Sequence, residues 1–514
     1  MKKIIIVGGG SAGWMAAATL VKCFPDKSIT LIESPNIPTV GVGESTIQQI
    51  RGWISLLGIK EEEFIPYTDA SYKLSIKFTD FYKKGEAFHY PFGSPNTDNN
   101  LANHNDWWFK KIYKPETPNS DYADCIFPQM ALVNENKCFS NEDNKIPFNL
   151  KKDSAFHFDA TKFGLWLRDH YCLPRGVKHI KEDVKTIEQD ENGIRSLNKK
   201  HKADLFIDCT GFKSLLLGET LKEEFISFED LLPNNKAWAT KIPYKDKKKE
   251  LESFTNCTAI ENGWVWNIPM WTRIGTGYVY SDKFVDDETA LKEFQKHLGK
   301  KAPKNKSDYK NIKMKVGTHK RLWVKNVVAI GLSAGFIEPL ESNGLFSVHE
   351  FLAELVRNLK REKVSQWDRD NYTFTCRQMF QNFAEFVALH YALSHRDDTE
   401  YWKANLNKEW SKVIERILPA GNRSKYMIAR NFDFYHDPEG GGHCIAAGMN
   451  WAPTDLHTLM KNNINNDMNW DNYFKTATDN LEHKKKEWKN AVKNAPSLHD
   501  FLEQHHYHDE EPEI

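Results

Sequence analysis

The apolar positions of the first 33 residues change period twice. Ile4-Ile5-Ile6-Val7 is an unbroken β-branched run, the pattern of a strand buried on both faces. Glycines at 8, 9, 10 and 13 interrupt it, residues 14–23 favour helix, and residues 28–32 form a second apolar run ending at Glu33. The pattern reads strand, helix, strand. Ile47, Ile50, Trp53, Ile54 and Leu57 recur at helical spacing, which predicts a helix over 45–57 lying on a sheet. Between about 72 and 150 the pattern loosens into short aromatic pieces rich in Asn, Pro and Asp, read as an inserted, mostly β or irregular region. Residues 161–171 read as helix, 184–197 as a hairpin around Glu191-Asn192-Gly193, and Leu205-Phe206-Ile207-Asp208 and Val327-Val328-Ala329-Ile330 as further buried strands. From Gly344 the period turns helical through Leu345, Val348, Phe351, Leu352, Leu355, Val356 and Leu359. It persists with gaps to about Leu418, where Pro419 ends it. The polar terminal segment, with His505-His506-Tyr507-His508, reads as solvated. These elements predict an α/β fold with two parts: 1–343 carrying the parallel sheet and the insertion, and 344–514 mostly helical.

Composition narrows this little, and charge excludes something. Lys+Arg and Asp+Glu both total 70, so no global field points to nucleic acid or to an anionic membrane surface. No apolar run approaches the roughly 18 residues of a membrane span. The eight cysteines are scattered without a C-x-x-C pair, which argues against a zinc site and for free thiols in a reducing cytoplasm. No metal is expected. The 16 Trp, 18 Tyr and 31 Phe suit a protein that handles planar molecules, although most must fill cores.

The glycine run carries specific chemistry. Gly8-x-Gly10-x-x-Gly13 follows a strand and opens a helix, so Gly8 turns the chain, Gly10 admits a pyrophosphate and Gly13 lets helix and strand pack closely. Free N–H groups of Ser11, Ala12 and Gly13 would meet the phosphates. Glu33, twenty residues after Gly13, is placed for ribose hydroxyls. Gly211 and Gly331 end two later strands, and such turns resemble the extra FAD contacts of glutathione-reductase-type flavoproteins. The cofactor expected is therefore FAD in a Rossmann-like domain.

Gly263-Trp264-Val265-Trp266-Asn267-Ile268-Pro269, continued by Arg273-Ile274-Gly275-Thr276-Gly277-Tyr278-Val279-Tyr280-Ser281, resembles the signature of the flavin-dependent halogenases, tryptophan-halogenase type. Four other segments resemble the same family in the same order. They are Gly41-Val42-Gly43-Glu44-Ser45-Thr46 (its flavin strap), Tyr72-Lys73-Leu74-Ser75, Phe336-Ile337-Glu338-Pro339-Leu340-Glu341-Ser342-Asn343-Gly344, and Phe386-Val387-Ala388-Leu389-His390-Tyr391 with its continuation to Trp402. The lysine- and asparagine-rich composition and shortened pocket resemble virus-encoded members with relaxed substrate and halide preference.

The resemblance implies that FADH2 from a separate NAD(P)H-dependent flavin reductase reacts with O2 and halide to give hypohalous acid. That acid then halogenates a small electron-rich aromatic substrate. Lys73 falls on the family's catalytic lysine; its ammonium would hydrogen-bond hypohalous acid, or its free amine would form an N-haloamine. Lys77 is the competing lysine, on the same face if the strand is continuous. Glu341 would stabilise the ring cation and take its proton, with Glu338 the alternative carboxylate. Ile337 would line the flavin. Asn343 and Gly344 would bind halide at a helix start, Asn343 replacing the threonine of the tryptophan-specific members. Tyr90 and Phe92 would wall the substrate, while Trp264 and Trp266, on one face of a strand, would keep it from the flavin. The family's tryptophan-gripping run is missing, and residues 433–438 and 440–444 stand in its place, which points away from free tryptophan. Three other readings compete: tryptophan halogenation in the strict sense, an FAD-dependent aromatic hydroxylase, and a flavin-binding protein without catalysis. Lys73, Glu341 and the Trp pair count against the last two. A homo-oligomer is compatible with all of them.

Overall fold

The computed structural model describes residues 1–37, 43–95, 104–140, 145–361, 363–414, 417–419, 426–428, 441–451 and 469–508. Ile4, Ile5, Ile6 and Val7 form the strand Lys3–Val7 at the heart of a six-stranded sheet, which runs Trp323–Val324, Val327–Ala329, Leu205–Asp208, Lys3–Val7, Ser28–Glu33, Lys178–Lys181. All pairings are parallel except the first, and the central strands are almost wholly buried while the edge strand Lys178–Lys181 is not. The helix Ser11–Cys23 covers one face and packs against the long helix Gly344–Leu359.

A second, seven-stranded sheet runs Lys310–Lys313, Lys236–Ile242, Ile274–Tyr280, Gly263–Pro269, Phe254–Ala259, Ser75–Thr79, Ala87–Pro91. A small third sheet places Ala155–Phe158 between Glu44–Ser45 and Ser71–Lys73. The chain passes from the third sheet to the second at Leu74, whose N–H donates to Ser253 O and whose carbonyl accepts from Phe92 N. That crossing breaks the strand that the sequence suggested from 72 to 78. Lys73 and Lys77 therefore belong to different sheets.

Other boundaries also moved. The helix expected over 45–57 begins only at Ile50, because Glu44 and Ser45 pair with Phe158 and His157. The 72–150 segment supplies strands up to Pro91, but from His104 its described elements are helices: His104–Tyr113, Asp121–Ile126, Met130–Asn134 and Leu150–Asp153. Helical periodicity after Gly344 resolves into Gly344–Leu359, Gln366–Ala392 and Glu400–Asn407, and Ile417–Pro419 is a short strand paired with Tyr426–Ile428.

The C-terminal segment forms the helices Trp470–Ala491 and Leu498–His505; His505 and His508 are exposed as expected, but His506 and Tyr507 between them are partly buried. Tyr507 stacks on Trp271 at 4.1 Å and donates to the carbonyls of Ile65 and Ala70. A ring that covers an indole and satisfies two carbonyls is held by packing, which a run of His and acid residues does not advertise. No described helix is long and apolar enough to cross a membrane.

Candidate active site

The glycine loop behaves as its spacing requires. Gly8 has φ +115°, and a Cβ there would lie 2.2 Å from Cys209 O; one on Gly13 would lie 1.9 Å from Gly8 O. Above Gly10 a Cβ would meet nothing within 4 Å. That open space faces the start of the Ser11–Cys23 helix, whose first N–H groups have no side-chain cap. Gly331 closes on Ala12, Gly211 lies at the end of the neighbouring strand with φ +70°, and Ile337 is buried. This donor set fits the pyrophosphate of a dinucleotide. Glu33 sits at the strand end beside Gly9, and its Oε1 lies 2.7 Å from His179 Nε2. Gly43 approaches Met270 and Gly275, while Gly41 and Val42 lie outside the described residues.

Lys73 is fully buried at the sheet crossing. Its Nζ donates to Thr46 O at 2.9 Å and to Ser342 Oγ at 2.8 Å, and it stands 4.9 Å from the centre of the Phe92 ring. Burial pulls its ammonium down to about 7, resisted by Cys257, Glu341 and Glu44. Glu341 is equally buried, and burial raises its carboxyl against the pull of His390 and Lys73. The lysine, on a strand, and the acid, in the helical turn Pro339–Glu341, are 268 positions apart in sequence yet act on each other electrostatically (341 − 73). Lys77 is elsewhere: it is half-buried, with its ammonium over Phe254.

Glu338 is buried too, but its oxygens are taken by Tyr391 Oη and by Asn234 Nδ2 at 2.8 Å. Burial lifts it to about 7 against those bonds. It is part of a polar cluster behind the Trp strand. Trp264 and Trp266 are both buried on the same face, ring centres 6.1 Å apart, while Val265 packs with Trp238, Tyr278 and Phe294 on the other. Gly277 sits under the Trp266 ring, where a Cβ would lie 2.2 Å from it.

Asn343 and Gly344 begin the Gly344–Leu359 helix. Asn343 is buried with an unpartnered Oδ1, and a Cβ on Gly344 would lie 2.7 Å from Glu44 Oε1. The Glu44 carboxyl therefore abuts the helix start where an anion would sit, and burial raises it to about 7 with Lys73 opposing. Tyr90 is half-buried and faces Phe92 and Phe386, at 6.2 and 6.1 Å between ring centres. Gly441 and Gly442 open the helix Gly441–Gly448, whose Gly448 lies on the Phe88 ring; residues 433–438 and Gly440 are outside the described residues.

His390 is the site residue the sequence reading passed over. Its Nε2 lies 3.0 Å from Glu341 Oε1, and its Nδ1 bonds Val387 O at 3.1 Å. It stood in a quoted motif, but a histidine on an apolar helix face gives no sign of what it meets 49 residues away (390 − 341).

The tryptophan halogenase family model matches residues 3–464. Tryptophan 7-halogenase RebH of Lentzea aerocolonigenes is 31% identical, over 98% of this chain and 98% of its own. The chain is also similar in structure to VirX1 in its apo form, with TM-score 0.88 and 38% identity over 99% of this chain and 100% of that one. The tryptophan 6-halogenase SttH of Streptomyces toxytricini superposes with TM-score 0.83 and 30% identity, covering 98% and 99%.

Proposed function

This chain belongs to the tryptophan halogenase family, a family of flavin-dependent halogenases, and on that premise we propose which residues do the work and on what kind of substrate. Reduced FAD, delivered by a separate NAD(P)H-dependent reductase, would be held by Gly8, Gly10, Ser11, Ala12, Gly13 and Glu33, by the strap from Gly41 to Glu44, and by Gly211, Gly331 and Ile337. Bound there, it would supply the two electrons that bring O2 to the peroxide level, at which oxygen oxidises halide to hypohalous acid. Asn343 and Gly344 hold the halide at a helix start. Lys73 receives the hypohalous acid and aims its halogen, and Glu341, oriented by His390, takes the ring proton. Trp264 and Trp266 separate the substrate from the cofactor. Residues 1–343 would form the flavin-binding part and 344–514 a mostly helical part.

The observation that carries this reading is the buried Lys73, beside the Phe92 ring and within electrostatic reach of the buried Glu341. Burial brings the ammonium down to about 7 and raises the carboxyl, so that a halogen carrier stands at an aromatic wall with a proton acceptor near enough to act on it. The substrate inferred is an electron-rich ring held by stacking on Tyr90 and Phe92. Stacking tolerates many rings, whereas a clamp for ammonium and carboxylate would reject molecules lacking them. Mass spectrometry of indoles, phenols, anilines and tryptophan, each incubated with enzyme, a flavin reductase, NADH and one halide, tests this. Simple indoles and phenols should gain halogen as well as tryptophan or better. Tryptophan as the best substrate, modified at a single benzo-ring carbon, would refute the open pocket.

A further inference from the structure

Lys73 is one end of an unbroken line of buried hydrogen bonds. Its Nζ donates to Ser342 Oγ at 2.8 Å, Ser342 Oγ to Ser45 Oγ at 3.0 Å, Ser45 and Thr255 hydroxyls lie 2.6 Å apart, and Thr255 Oγ1 lies 2.9 Å from His157 Nε2. Every member is at most 5% exposed. The small third sheet builds most of the line, since Ser45 and Ser71 are the two neighbours of His157 in register. Ser342 holds its place with φ +59°, a left-handed backbone that a serine adopts at a cost and that clusters at functional sites.

The two ends fix the direction of every bond. The Lys73 ammonium only donates. At the far end Ser71 donates its hydroxyl hydrogen to Pro269 O at 2.7 Å, so His157 Nδ1, 3.4 Å from Ser71 Oγ and turned toward that carbonyl, carries the ring hydrogen. His157 Nε2 is then an acceptor and takes the Thr255 hydrogen; Thr255 takes that of Ser45, and Ser45 that of Ser342. Four groups donate in one sense, from lysine to imidazole.

We propose that Ser342, Ser45 and Thr255 relay the Lys73 ammonium proton to His157, leaving a free amine to meet hypohalous acid. The proposal rests on the role given to Lys73 above. Each hydroxyl accepts one proton and passes on its own, so Lys73 becomes the amine and His157 the imidazolium. After rotation the nitrogen lone pair attacks the halogen; the N–X bond forms, the X–O bond breaks, and the departing hydroxide takes a second amine proton to leave as water. Transfer of the halogen to the ring returns the ring proton's equivalent to nitrogen, and His157 then restores the ammonium along the same line. The titratable groups around Lys73 are Cys257, Glu341, Glu44 and His157, and Lys73 is the charge that acts on His157. Burial and the Lys73 charge hold His157 well below the usual imidazole range, so the imidazolium is a short-lived state that gives its proton back along the line.

Thr255→Val removes the central hydroxyl at nearly constant shape, and Thr255→Ser keeps it. Halogenated product and released peroxide are measured across the titration of Lys73. Thr255→Val should lose on the order of 100-fold in halogenation below pH 7, where the amine must be made, and much less above it, while peroxide release continues. Thr255→Ser should restore the wild-type profile. A loss that is equal at every pH, or none, overturns the relay and leaves Thr255 a packing residue. Nitrogen-15 NMR of histidine-labelled protein, assigned with His157→Gln, reads the same line without turnover: Nδ1 should carry the hydrogen and Nε2 none. A protonated Nε2 in the resting protein overturns it as well. Lys73→Ala run alongside separates the two levels, because full halogenation by that variant removes the lysine's role itself.

Discussion

At the scale of single residues, the site is a matter of protonation states set by burial. A surface lysine keeps its proton far above neutrality, and a surface glutamate loses its own far below. At the sheet crossing, desolvation penalises both charged forms, so the ammonium of Lys73 falls and the carboxyl of Glu341 rises toward it. Lys73→Ala should abolish product while flavin binding and peroxide release persist, because the lysine acts after the oxidant is made. Glu341→Gln, which keeps shape and loses the base, should slow turnover by about 10- to 10,000-fold. Product and peroxide assayed side by side check both, and a halogenating Lys73→Ala would falsify the assignment. The lysine was legible because it sits in a recognisable motif. Its rival Lys77 was excluded only by the crossing at Leu74, and His390 only by its approach to Glu341.

Elements set the next level. On the strand Gly263–Pro269, alternation puts Trp264 and Trp266 on one face, and Gly277 on the neighbouring strand makes room for the Trp266 ring. Gly277→Ala forces a methyl into that ring and should cost about 1–3 kcal/mol in denaturant unfolding. The displaced indole should also raise peroxide release relative to halogenation, since the barrier between cofactor and substrate moves. Unchanged stability and coupling would show that Trp266 has room to spare. The start of the Gly344–Leu359 helix offers a second test. Glu44 abuts it with a carboxyl raised to about 7, so above that pH a carboxylate competes with halide for the same N–H groups, and below it the neutral acid does not. Bromide affinity, followed by calorimetry, should therefore strengthen as pH falls through about 7, and Glu44→Gln should flatten the dependence. Affinity that strengthens with rising pH would place the halide elsewhere.

In the whole molecule, a parallel sheet carries one glycine loop, and the small sheet that holds Lys73 crosses at Leu74 into a large, mostly antiparallel sheet. The sequence has one dinucleotide fingerprint, so enzyme mixed with FAD and NADH alone should oxidise no NADH, and turnover should begin only when a flavin reductase is added. Rapid NADH loss without reductase, coupled to hydroxylation, would favour the monooxygenase reading. What the sequence determined by itself was local. The period of Ile4-Ile5-Ile6-Val7, the spacing of Gly8, Gly10 and Gly13, and the two indoles one residue apart depend on contacts between near neighbours, where backbone geometry translates pattern into shape. The tertiary structure alone decided the rest. Ser45, Lys73, His157, Thr255 and Ser342 form one hydrogen-bonded line although they are spread over nearly 300 residues (342 − 45), and Glu341 meets His390 from another element. A hydroxyl or an imidazole has no periodicity to betray its partner, and its protonation depends on how much water the whole fold excludes around it.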